Sequence, residues 1–131
     1  MVEISSKYGI DEQIWFYGAC YDEVTNAELI FNADVCVMPG DIGLTAIHCL
    51  SFGTPCITHD DYPHQGPEFE AIKTGRTGVF FQSGDVKSLV KAIKSWFNTN
   101  ITREEIRCAC YKEIDEQWTP QYQVEVLKKF L

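Results

Sequence analysis

Basic residues are in short supply. The 131-residue chain carries 11 Lys+Arg against 19 Asp+Glu, a formal charge of −8 with the histidines neutral, and its few cations are scattered among the acids. Binding duplex or single-stranded nucleic acid draws on clustered Lys and Arg that displace counterions, so nucleic acid is excluded as a partner. Long apolar runs are missing as well: the stretch from Ala33 to Met38 is already broken by Asp34, whereas a helix needs about 20 apolar residues to cross a bilayer. A membrane is therefore at most a peripheral partner. Met1 to Gly9 lacks the basic start, apolar centre and small-residue cleavage site of a secretory signal. There is no low-complexity segment and no internal repeat. The cysteines at 20, 36, 49, 56, 108 and 110 include no CxxC pair and no histidine at zinc spacing. Most fall inside apolar segments, which predicts reduced, largely buried thiols in a cytoplasmic protein.

What is present is a core. With 45% hydrophobic and 13% aromatic residues, the chain can bury enough apolar surface to set aside disorder, collagen-like repeats and coiled coil, and its length suits one compact domain. Short apolar runs alternate with amphipathic runs of helical period, the pattern of βαβ units around a parallel sheet. Strands are predicted at Ile14–Tyr17, Val35–Met38, Cys56–Thr58 and Gly78–Phe81. Asp22 opens a helix with Val24, Ala27, Ile30 and Phe31 on one face. Leu44 to Phe52 forms another, closed by Gly53 in a left-handed position and followed by Pro55.

The long polar stretch from His59 to Thr77 is predicted to hold a short helix around Pro67 to Lys73. Asp85 caps a helix with Val86, Leu89, Val90, Ile93 and Phe97 on its apolar side and Lys87, Lys91 and Lys94 opposite, a cationic face more consistent with solvent than with a membrane surface. Thr102 to Glu105 is a capping box, and Ile106, Cys110, Ile114 and Trp118 recur behind it; a last segment follows Pro120. The expected fold is a small doubly wound, Rossmann-like α/β domain, a parallel sheet flanked by helices, with extra C-terminal helices. Because one helix end, Val2 to Tyr8, precedes the first predicted strand, the chain is expected to be a piece of a longer polypeptide.

The segment Pro39 to His48 carries the strongest chemical signal: a strand end, a glycine-bearing loop and a helix start. Two glycines allow backbone to approach a ligand, and the amides of Gly43, Leu44 and Thr45 at a helix N-terminus offer an anion site suited to phosphate. Thr45 and His48, three apart, share a helical face behind it. Against this stands the ordinary βα connection of any α/β protein, and on spacing alone His48 is better placed as a core histidine satisfied by a carbonyl. His59, Asp60, Asp61 and His64 are ligand types without a fixed spacing, so a solvated loop accounts for them and no metal is assigned. Glu68 and Glu70 are able to accept hydrogen bonds from sugar hydroxyls, or simply to favour a helix first turn. Cys108 and Cys110, two apart on a helix, point in different directions and receive no function.

From Ile14 to Phe97 the chain resembles the C-terminal, nucleotide-sugar-binding half of GT-B-fold glycosyltransferases of family 4. The resemblance is carried by Phe16-Tyr17-Gly18, by Ala33 to Pro39, by Gly43-Leu44 with Gly53 to Thr58, and by Glu70 to Gly78 with Gly84-Asp85, in the family's order and at nearly its spacing. It implies that Gly40, Asp41, Ile42, Gly43, Leu44 and Thr45 hold the donor diphosphate and sugar, and that Ala19 and Cys20 meet the base. His48 stands where the family usually has a ribose-gripping glutamate, Gly40 where it has a second, and the loop after Pro39 is shorter. The family's proline-glutamate element maps to Glu68 counted from Pro67, or to Glu70 counted back from Gly75.

The resemblance further implies a retaining, metal-independent transfer from a UDP- or GDP-linked sugar to a saccharide or lipid-linked acceptor, with no cofactor. It also implies that a second, N-terminal Rossmann domain of the same polypeptide supplies the acceptor site and the cations. Without those cations this piece alone is expected to be inactive. The rival expectations are a non-catalytic nucleotide-binding or assembly module of the same descent, and the same fold turned to epimerase or phosphorylase chemistry.

Overall fold

A computed structural model describes residues 1–131. Three short strands, β1 (Cys36–Met38), β2 (Cys56–His59) and β3 (Gly78–Phe81), lie parallel in that order, with Cys36 opposite Cys56 and Cys56 opposite Gly78. Around them run α1 (Val2–Tyr8), α2 (Glu23–Asn32), α3 (Leu44–Ser51), α4 (Val86–Phe97), α5 (Arg103–Gln117) and α6 (Pro120–Lys128). This is a Rossmann-like α/β domain with additional C-terminal helices.

The helix starts follow from local chemistry. Asp22 accepts from the Thr25 amide, Asp85 from the amides of Lys87 and Ser88, and Thr102 with Glu105 closes a complete capping box. Each satisfies backbone donors that a helix leaves orphaned. Gly53 takes φ +75° just past α3, where a side chain would strike Tyr111 of α5.

One expected strand is absent. Ile14 begins in extended conformation, but Ile14–Tyr17 pairs with no other strand, and β1 stands at the sheet's edge. An apolar run becomes a strand only when a neighbour takes its backbone donors and acceptors. Trp15 and Tyr17 instead stack edge to face at 4.8 Å, beside Leu29 and Ala33 of the α2 region.

The core lies where α3, α4 and α5 close on the sheet. Ala46, Leu50, Cys56, Ile57 and Cys110 are fully enclosed, and burying a side chain of Leu or Ile size contributes about 1.5–3 kcal/mol. On α4 the predicted line is half met: Leu89 and Ile93 pack against the core, but the stripe centres on Ala92 and Trp96, and Val86, Val90 and Phe97 remain exposed. Trp96 fills the core better than a valine, and the helix turns to bury the larger surface. α5 is tied to the end of α2 by cations: Arg103 pairs with Asp34 at 2.7 Å and donates to the carbonyls of Phe31 and Ala33, and Arg107 donates to Phe31 while lying 3.7 Å over its ring. No helix is long and apolar enough to cross a membrane.

Candidate functional site

In open α/β sheets ligands bind beyond the carboxyl ends of the strands. Here that edge carries two loops, one leaving β1 through Pro39–Gly43 and one leaving β2 through Asp60–Glu70, and side chains lock them together. Gln65 reaches across, its Oε1 accepting from the Ile42 amide at 3.0 Å while its Nε2 donates to Thr58 Oγ1 and to the His59 carbonyl. Thr58 in turn donates to the Gly40 carbonyl. Asp41 Oδ1 accepts from Gly43 at 3.1 Å and from Gly66 at 3.0 Å.

The proposed anion site is consequently narrower than the sequence suggests. Of its three amides, Gly43 donates to Asp41 and Thr45 donates to the Ile42 carbonyl at 3.1 Å. Leu44, at the first helical position, has no acceptor within the helix and stands 74% exposed. Gly43 holds φ +45°, ψ −143°, a backbone setting that glycine reaches without strain and that turns the chain sharply into α3.

Only one of the two candidate glutamates reaches this turn. Glu68 folds back over Gly66, so that a methyl group built there meets Glu68 Oε2 at 2.6 Å, Gly43 Cα at 3.7 Å and Asp41 Oδ1 at 3.8 Å. Glu70 lies on the exposed side of the same 3₁₀ turn (Pro67–Ala71), where its carbonyl takes the Lys73 ammonium at 2.7 Å. Of the two glutamates, Glu68 is thus the one gathered to the Gly43 loop. His48 is not a core residue: it is exposed on α3, without a hydrogen bond, its ring 5.3 Å from that of Phe52. Ala19 and Cys20 sit in the segment just before α2, where the Cys20 carbonyl accepts from Asn26, and no hydrogen bond joins them to the Gly40–Thr45 loop.

His59, Asp60, Asp61 and His64 do not converge. Buried His59 accepts from the Asp61 amide through Nδ1, Asp60 accepts from the Ser83 amide, and exposed His64 pairs with Asp61 at 2.9 Å. That carboxylate, by hydrogen bonding and by charge, holds the His64 pKa above the ordinary histidine value.

A different cluster escaped the sequence. Cys36 and Cys56 are register partners on β1 and β2, Cys49 faces them from α3, and the three sulfurs lie within 4.8 Å of one another. Interaction with the neighbouring Cys49 and Cys56 thiols draws the Cys36 pKa down, while interaction with Cys36, together with burial, pushes Cys49 up to about 12. The usable signal lay in predicted strand register, not in linear spacing. Cys108 faces solvent and Cys110 the core, as two positions two apart on a helix require.

Parallel strands, a glycine turn opening a helix at their carboxyl ends, and polar side chains gathered over that turn define a Rossmann-like α/β domain. Residues 1–113 match the family model of glycosyl transferases group 1. The chain belongs to that family, and its architecture is that of a GT-B half-domain. A comparison with curated proteins returned no significant match.

Proposed function

We propose that this domain binds the donor of a glycosyltransferase, a UDP- or GDP-linked sugar, at the Gly40–Thr45 turn. Family membership supports glycosyl transfer. The observation that carries the finer reading is the convergence of Asp41, Glu68 and the open Leu44 amide on one glycine turn. A hydroxyl-rich, neutral sugar suits the carboxylates, which accept its O–H groups, while the diphosphate seeks the α3 N-terminus and its partial positive charge. Thr45 and His48 follow on α3 to meet the ribose, with Ala19 and Cys20 left for the base.

No Lys or Arg occurs between Lys7 and Lys73. Charge on a departing diphosphate must therefore be met by amides, the helix end and cations brought by another domain, so this domain alone holds donor weakly and turns over little. By the family resemblance, the proposed transfer is retaining, needs no metal, and delivers a hexose to a saccharide or lipid-linked acceptor. Six free thiols suit a reducing compartment, and the cytoplasm is the proposed location. Calorimetry with UDP and GDP tests the reading: weak, salt-sensitive binding at millimolar nucleotide is expected, and no heat with either sinks it.

One observation favours a second reading. Gly40 and His48 occupy the positions of two family glutamates, and without them a nucleotide-binding module that assembles but does not catalyse is the alternative. It requires that the complete polypeptide form no labelled glycoside from any labelled nucleotide sugar.

A further inference from the structure

The Cys36, Cys49 and Cys56 cluster lies at the amino ends of β1 and β2 and in the second half of α3, at the other end of the strands from the donor loop, and nothing in the proposed transfer uses these thiols. We propose that these three cysteines form a site for a soft, thiophilic ion. Their sulfurs, each within 4.8 Å of the others, leave a point within about 2.8 Å of all three, against the about 2.3 Å of a zinc–thiolate bond. Half an ångström of movement at each side chain closes the site. Two of the sulfurs belong to residues at most 3% exposed, while Cys36 is only half-buried and provides the entry.

The donor set selects the ion. Three thiols with no carboxylate or imidazole among them suit thiophilic ions and reject magnesium and calcium. Charge then ranks the soft ions. A divalent ion on three thiolates leaves a net charge of −1 in the core, which is costly where no cation stands beside it. Trivalent arsenic leaves none. Arsenous acid reacts with three thiols by breaking three As–O and three S–H bonds, forming three As–S bonds and releasing three waters, with arsenic trivalent throughout.

The rigid frame matters as much as the count. Cys36 and Cys56 are fixed by strand pairing and Cys49 by the helix that connects those strands, so the three ligands are preorganised only in the folded chain. Cys108 and Cys110 lack that convergence, and Cys20 stands apart just before α2.

The test uses the reduced full chain with arsenite, then with cadmium, read by native mass spectrometry and by thiol alkylation mapped to peptides. One arsenic per chain is expected, with loss of three hydrogens, together with protection of Cys36, Cys49 and Cys56, but not Cys20, Cys108 or Cys110, when the loaded chain is alkylated in urea and compared with the arsenite-free chain treated alike. Cadmium is expected to bind more weakly. Cys36→Ser, checked for an unchanged melting curve, should weaken arsenite binding by more than the roughly 10–100-fold that follows loss of a group that merely orients a ligand, and Cys108→Ser should not change it. An unmodified folded chain, an adduct indifferent to Cys36→Ser, or protection falling on Cys108 and Cys110 overturns the proposal. The protection map needs no variant and decides the matter even if Cys36→Ser fails to fold.

Discussion

Replacing Asp41 by asparagine removes one negative charge and leaves an acceptor oxygen to hold the amides of Gly43 and Gly66, now 3.1 and 3.0 Å from Oδ1. For a phosphate oxygen seated on the Leu44 amide, a separation of about 4 Å from that carboxylate is taken, at which two unit charges repel by about 1 kcal/mol in water and about 4 kcal/mol at an effective dielectric near 20. Asp41 is exposed, so the lower figure applies, and Asp41→Asn should tighten UDP or GDP about fivefold. The gain should shrink as salt rises toward about 0.15 M and beyond, because exposed charges are screened. Calorimetry at two ionic strengths measures both. Unchanged or weaker binding at low salt refutes the placement of the diphosphate at this turn.

Other consequences follow from the same contacts. Gln65→Leu leaves the buried Ile42 amide without its acceptor and frees both loops, at a cost of about 2 kcal/mol in urea or thermal unfolding. Thr77 is 1% exposed, donates to the Ala71 carbonyl and accepts from the Lys73 amide, so Thr77→Val strands one buried and one half-buried backbone group and should cost about 2 kcal/mol. NMR titration should place His64 above the ordinary histidine pKa, and Asp61→Asn should return it there. Since the folded pKa is raised, the small stabilisation from this pair is complete below the unfolded value near 6.5 and is lost as pH rises through the folded one.

Local chemistry was legible in the residues. Asp22, Asp85 and Thr102 announce their helices because capping is decided within four residues, and Gly53 marks the end of α3 for the same reason. Three of four strands were found, because an apolar run between glycine and proline signals usually finds neighbours. Ile14–Tyr17 has the composition of a strand and no pairing partner, which no local pattern reveals. On α4, Leu89 and Ile93 follow the helical spacing into the core, while burial of Trp96 turns Val86, Val90 and Phe97 outward, a choice made by the volume of one side chain and not by period.

The site is half local and half distant. The Gly43 turn can be read from its spacing, whereas the Gln65 bridge to Ile42 spans 23 residues and depends on how two strands bring their loops together. Asp41's occupation of the Gly43 amide, the exposure of His48 and the choice of Glu68 over Glu70 are of this second kind. So is the thiol cluster, assembled by strand register from three cysteines that look unrelated along the chain.

The central claim is donor binding at the α3 N-terminus, and its most direct measurement is the amide NMR spectrum of the ¹⁵N-labelled chain titrated with UDP and with GDP. Shifts concentrated at Gly43, Leu44, Thr45 and His48, saturating in the millimolar range, are the predicted result. Shifts absent there at millimolar nucleotide, or confined to a surface away from this turn, contradict it.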